Sequence, residues 1–221
     1  SVFGSGRDHV YLDENSQTNP LTPYSKNKLR IEKYLKSIST DAFKPIILRF
    51  ATVFGYSPRM RFDLYLNQFL AMALSEKKIH LNSDGSAWRP NLYIGDVPEV
   101  IESCLEFDNQ SSTIINIGNH NSNFQIIDVV KKIKKIHTDL DFKFIDKGNA
   151  GLYSDQYVTS KKDKRSYLVN FSKMNELLGQ NICSTDLDLG ISILSKKLEK
   201  TRDLNQKIKN PAYFRLQWTK K

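Results

Sequence analysis

The chain has 221 residues, enough for a substantial buried core in one or two domains, and it carries a net charge of +9 with only two cysteines. Cys104 and Cys183 have neither metal-ligand spacing nor the density of a disulfide framework, no apolar run approaches the length of a membrane span, and the first residues lack the basic-then-apolar layout of a signal peptide. None of the four histidines stands near another at ligand spacing, so the expectation is a soluble, cytoplasmic protein with reduced thiols, no metal centre and no membrane partner.

The positive charge raises nucleic acid as a partner, because lysines that neutralise phosphates supply salt-dependent affinity. The excess is dispersed, however, through stretches such as 131–135 and 196–200, where it alternates with isoleucine and leucine at helical spacing. No nucleic-acid motif accompanies it, and no nucleic-acid partner is expected.

Taken in chain order, Gly4-Ser5-Gly6 is too short for a phosphate-cradling glycine turn and reads as a loop. A helix is predicted from Pro23 to about Ser37, since proline is tolerated in a first turn and Thr22 is a suitable cap. On that helix Tyr24 and Lys28 are four residues apart and share a face. An ammonium beside a phenol favours the phenolate, the form that can exchange a proton near neutral pH. The same pair is also compatible with an ordinary solvated face, because the composition alone yields about one such match.

The nearly continuous apolar run Pro45–Phe50 predicts a buried strand of a parallel sheet. Ligands of such sheets bind beyond the carboxyl ends of the strands, so residues 50–55 should border a site. Ser57–Asp63 is a basic loop whose arginines could grip phosphate or simply face water, and Leu64–Ser75 is a helix with an apolar stripe. Ile79–Leu81 is a strand, and the turn at 82–86 delivers Trp88 and Arg89 into a strand at Asn91–Ile94, followed by a helix from Asp96 to Phe107. Arg89 can hold phosphate bidentately, or pair with Asp84 or Asp96. Further on come a strand at Thr113–Ile117, an amphipathic helix at Phe124–His137, a strand at Phe142–Ile145, an irregular polar stretch at 148–164, an extended Leu168–Asn170 and helices at Ser172–Leu178 and Asp186–Arg202. The tail carries Tyr213, Phe214 and Trp218 and is expected to dock on its own or a neighbouring chain.

Several stretches are ordered as in a known family. Ser1-Val2-Phe3-Gly4, the acidic Asp13-Glu14, Asn19-Pro20-Leu21-Thr22-Pro23-Tyr24-Ser25-Lys26-Asn27-Lys28, Leu48-Arg49-Phe50-Ala51-Thr52-Val53-Phe54-Gly55, Trp88-Arg89 through Asp96-Val97, Ile115-Asn116-Ile117-Gly118, and Asn170-Phe171-Ser172-Lys173 with Leu177-Leu178-Gly179 occur in sequence. Together they resemble the extended short-chain dehydrogenase/reductases, in the branch of NAD-dependent sugar-nucleotide epimerases and dehydratases.

The resemblance implies an α/β fold: the rear half of a Rossmann-like parallel sheet plus a smaller α/β substrate-binding lobe. Residues 1–55 would be a partial NAD-binding portion, and 56–221 mainly the substrate lobe, with part of 80–120 returning to the sheet. The glycine-rich turn expected of a dinucleotide site is missing, so the chain reads as a C-terminal portion of such an enzyme. Tyr24 and Lys28 are the implied catalytic pair. NAD, with NADP not separated from it, would meet Tyr24, Lys28, Phe50, Ala51 and Val53. A nucleoside diphosphate sugar would meet Thr52, Asn67, Arg89 and Arg165. Thr52 stands where an asparagine is often found, and Ser1 where the 4,6-dehydratases carry a glutamate acid/base; a hydroxyl cannot replace that carboxyl near neutral pH, which favours epimerisation over dehydration. A reductase or dehydratase of the same family and a non-catalytic sugar-nucleotide-binding or assembly fragment are the alternatives, and a homodimer is the expected assembly.

Overall fold

The computed structural model describes residues 2–4, 10–144 and 165–214. The chain runs through β1 (Tyr11–Leu12), α1 (Pro23–Ser37), β2 (Ile46–Phe50), β3 (Thr52–Phe54), α2 (Tyr65–Glu76), β4 (Lys78–Leu81) and β5 (Trp88–Tyr93). It continues through α3 (Val97–Glu106), β6 (Thr113–Ile117), β7 (Asn123–Gln125), α4 (Ile126–Ile136), β8 (Asp141–Phe144) and β9 (Leu168–Val169). The last helices are α5 (Ser172–Leu178), α6 (Leu187–Glu199) and the short α7 (Leu204–Lys207).

Two compact units share this chain, one drawing on residues 1–53, 88–123 and 164–185, the other on 54–87, 124–163 and 186–221. In the first, β2 and β6 are parallel, in register from Ile46 opposite Thr113 to Phe50 opposite Ile117, and β1 runs parallel to β9. Parallel neighbours need long crossovers, which is why helices separate the paired strands in sequence. Ala51 N extends the β2–β6 ladder by donating to Ile117 O at 2.8 Å. A further sheet has the order β3-β5-β7. The core of this unit includes Phe3, Leu92, Val100, Ile115, Ile117 and Phe171, with Leu29 of α1 packed against it.

In the second unit β4 and β8 form a parallel pair, and α2, α4 and α6 pack together with β4 against α2. Helix α4 illustrates how charge and core separate. Val129, Val130 and Ile133 are buried on one side, while Lys131, Lys134 and Lys135 face water.

Three points go beyond or against the sequence reading. Val2 and Phe3, in the stretch that resembles the family's Ser-Val-Tyr-Gly, are buried without forming a strand among the described residues, and Gly4 turns into the left-handed region at φ 70°, where a Cβ would collide with Asn19 O. Only glycine allows that approach, and Asn19 N donates to Val2 O at 3.0 Å. Strand β2 is half-buried instead of covered on both faces, and its partner β6 takes the deeper place, with Ile115 and Ile117 fully buried. The helix expected from Phe124 begins at Ile126, since residues 123–125 are used as strand β7. Ser1, Ile145, the stretch 148–164 and Trp218 lie outside the described residues.

Candidate active site

The sequence around α1 dictates where its first turn falls. Thr22 Oγ1 accepts from Ser25 N at 3.1 Å while Thr22 N donates to Ser25 Oγ at 3.1 Å, a reciprocal cap with serine in place of the usual glutamate, and Pro23 sits where its missing N–H costs nothing. The helix start is therefore fixed, and with it the angles of the later side chains relative to one another. Ser25 and Glu32 are buried and Leu29 meets the core, so residues 25, 29 and 32 define the inner face. Tyr24 and Lys28 stand at the rim, both exposed, with Lys28 Nζ 5.6 Å from the centre of the Tyr24 ring. The phenol and ammonium are thus side by side, as the four-residue spacing predicts.

Behind this pair lies a polar cluster that the sequence reading did not single out. Arg49 of β2 grips the buried Glu32 carboxylate through Nε, at 3.2 and 3.1 Å from its two oxygens, and through Nη2 at 2.7 Å. Its Nη1 donates to Glu14 O at 3.3 Å, and its guanidinium lies 5.2 Å from the Phe3 ring centre. Glu14 in turn accepts from Asn116 N of β6 at 2.7 Å. The available signal was an acid at the 25-29-32 inner-face spacing, matched by an arginine inside an otherwise apolar strand.

The segment leaving β2 passes Phe50, which is exposed, and then Ala51, Thr52 and Val53, which are half-buried. Ala51 and Val53 pack against the core, and Ala51 sits beside Gly118 at the end of β6, where an added Cβ would come within 3.1 Å of it. Arg89 of β5 is buried: its Nη1 donates to Trp88 O at 2.8 Å and its guanidinium lies 5.7 Å from the centre of the Tyr167 ring. Tyr167 N donates to Trp88 O at 3.3 Å and Trp88 N to Ser166 Oγ at 3.1 Å, so the segment carrying Tyr167 is tied to the start of β5. Arg165 is exposed at the head of that segment. Tyr167 is another residue the sequence reading left without a role.

Asn67 belongs to the second unit and is buried on α2. Its Oδ1 accepts from Gly55 N at 3.1 Å and its Nδ2 donates to Arg61 O at 3.1 Å, which pins both ends of the 55–61 loop to the helix. In that loop Arg61 pairs with Asp63 at 2.7 Å, and Arg59 Nη2 donates to Ala212 O at 3.4 Å. Phe62 N donates to Tyr213 O at 3.1 Å with the two rings 5.9 Å apart, so the described part of the tail docks on its own chain.

Neither thiol is poised as a nucleophile. Burial pushes Cys183 up to about 12, helped by the nearby Asp96 and Glu99 carboxylates, and burial also raises Cys104. Burial, then the Asp96 charge, raises the phenol of Tyr93. Among the described residues no three His, Cys, Asp or Glu side chains group closely enough to hold a metal ion, and no helix is long and apolar enough to cross a membrane.

Parallel strands with helical crossovers place this chain among the Rossmann-like α/β proteins, and solved structures share that fold. An NAD-dependent NDP-hexosamine 5,6-dehydratase, TunA, matches with a TM-score of 0.74 at 18% identity, over 92% of this chain and 62% of that one. The UDP-glucuronic acid 4-epimerase of Bacillus cereus matches with a TM-score of 0.72 at 23% identity, over 90% of this chain and 59% of that one. The pattern of the NAD dependent epimerase/dehydratase family covers residues 1–118, and the chain belongs to that family. Over 119 residues it is 34% identical to an uncharacterized UDP-glucose epimerase, YtcB, of Bacillus subtilis strain 168, a stretch that is 53% of this chain and 36% of that relative. The chain thus spans well under two thirds of the relatives it matches.

Proposed function

We propose that this chain serves the NAD-dependent epimerisation of a nucleoside diphosphate sugar by transient oxidation at a ring hydroxyl. The observation that carries this reading is the exposed Tyr24 phenol beside the Lys28 ammonium, on a helix whose start is locked by its cap. The donor set suits the cofactor: an accessible ammonium that can bind ribose hydroxyls, next to a phenol that can exchange a proton. When bound, NAD supplies the acceptor and later the donor of the hydride. Tyr24 as phenolate takes the proton of the ring hydroxyl and returns it after the sugar has turned over, with the Lys28 ammonium beside it.

The remaining assignments are those the family resemblance implies, and the chemistry of the side chains is compatible with them. Phe50, Ala51 and Val53 line the cofactor side, and the Thr52 hydroxyl donates to the sugar nucleotide. Arg89 and Arg165 bind diphosphate oxygens; Arg89 has the planar fork of donors for it, with its guanidinium over the Tyr167 ring. Asn67 acts by shaping the 55–61 loop on the substrate side. Residues 1–55 serve the cofactor and 56–221 mainly the substrate, apart from the part of 80–120 that joins the cofactor portion. Dehydration of the same class of substrate is the second reading, favoured by the presence of a dehydratase among the structural neighbours. A homodimer is supported by Ile31, Tyr34 and Ile38, which repeat at helical spacing on the exposed side of α1.

The test is turnover of UDP- and dTDP-sugars by the full-length protein with NAD, in wild type and Tyr24→Phe. Loss of turnover in the variant, with the Kd for the sugar nucleotide unchanged, is the expected result; undiminished turnover overturns the assignment.

A further inference from the structure

We propose that Glu32 and Arg49 are positioning residues that set the rotation of α1 about its own axis and thereby aim Tyr24 and Lys28, an inference that rests on the function proposed above. Both side chains of the pair are 9% exposed, and the carboxylate is met by Nε and Nη2 together, with Nη2 at 2.7 Å. Two donors on one carboxylate fix the plane of the guanidinium as well as its distance. The third nitrogen is held by Glu14 O at 3.3 Å, and the Phe3 ring lies 5.2 Å from the guanidinium carbon. Arg49 is therefore held by a helix, a loop and a ring while it stands on the ladder between β2 and β6, opposite Asn116.

Stability alone is a poor reason for this arrangement. Removing two charges from water costs about as much as their attraction returns, and apolar residues of similar volume often stabilise equally well. An apolar contact, however, is non-directional and tolerates rolling of the helix, whereas a two-point ion pair does not. Glu32 lies about 40° from Lys28 and about 80° from Tyr24 around the helix, and on a rigid helix fixing its angle fixes theirs. A roll of about 20° carries side-chain atoms at the ~6 Å rim of a helix by about 2 Å. A displacement of ~1 Å is enough to cost on the order of 100-fold in rate. Leu29 and Ser25 anchor the same face but contribute no comparable directional contact to a strand.

The test uses the full-length protein with 3-fluorotyrosine placed at position 24 and read by fluorine NMR, without substrate or cofactor. In the parent, Lys28→Met should shift that resonance because it removes the ammonium over the ring. In Glu32→Met/Arg49→Leu, whose apolar pair preserves volume, the melting temperature should change little while the position-24 resonance moves or broadens, because a helix free to roll carries the ring into other surroundings. The isosteric Glu32→Gln carries the same measurement if the double change unfolds. With NAD and a turned-over nucleotide sugar, the same variants should lose about tenfold or more in kcat with KM within about twofold. A folded variant whose position-24 resonance keeps the parent's shift and width overturns the positioning role. Turnover unaffected by Tyr24→Phe overturns the catalytic reading instead, and the fluorine result still decides the role of the ion pair.

Discussion

Gly118→Ala places a methyl group where the fold has no room for one. Built on the native backbone, the new Cβ would lie 2.5 and 2.6 Å from the Cζ and Cε1 of Phe171 and 3.1 Å from the Cβ of Ala51. Phe171 is fully buried and meets His120 edge-on at 5.8 Å, so its ring cannot swing away without disturbing the core. The expected cost is roughly 1–3 kcal/mol, the usual range for overpacking by one methyl. Phe171→Leu shortens the obstructing side chain and by itself costs about 1–2 kcal/mol as a partial cavity. Because the alanine methyl fills part of the space the ring vacates, the double variant should lose at least about 1 kcal/mol less than the sum of the single losses. Urea unfolding followed by far-UV circular dichroism, extrapolated linearly with the slopes compared, measures all three. Additivity within about 0.5 kcal/mol would show that the two side chains do not meet, and would refute the packing described for the ends of β2 and β6.

Asn67→Ala should destabilise by about 1–3 kcal/mol, since Gly55 N and Arg61 O each lose a buried partner; a loss within experimental error in urea titrations would refute that bracing. His137, capping α4, shares a 2.8 Å hydrogen bond with Ser195, which donates to Glu199 at 3.2 Å. Burial holds this imidazole below its ordinary 6.5, against the opposing pull of Glu199, so the unfolded chain takes up the proton first. Its contribution to stability is therefore complete above pH 6.5 and is lost as pH falls from there towards the lower folded value, and His137→Gln should flatten the pH dependence of the urea midpoint in that window. Native Cys183 should resist iodoacetamide at pH ~8 while Cys104 reacts slowly, and mass spectrometry should find Cys183 labelled only after unfolding.

What could be read from the chain before its folding was known was whatever depends on neighbours in sequence. The start of α1 follows from Thr22 and Pro23, its end falls at Ser37 as expected, and the strands at Ile46–Phe50 and Thr113–Ile117 follow from short apolar runs. The closeness of Tyr24 and Lys28 is likewise a property of helix geometry. Two-residue strands such as β1 escaped because their only reason is a partner more than 150 residues away, Tyr11 opposite Leu168. Glu32 escaped for a related reason: in a helix rich in lysine and arginine an acid reads as solvated, and only Arg49 across the fold makes it a buried partner. Gly4 reads as part of a loop from the sequence, but that its turn is left-handed is dictated by the approach of Asn19, which the sequence does not show.

The interleaving of the two units has a consequence for synthesis on the ribosome. Each unit is assembled from three separated pieces of the chain, so neither can close when its first piece emerges. The first must wait for residues 164–185, because β1 has no ladder until β9 appears and Glu32 and Arg49 are made long before the strand segment that completes their surroundings. At ~5–20 residues per second the segment 1–53 waits several seconds for residues 164–185 with apolar surface uncovered. Chaperone demand during translation is thus built into the order of the segments.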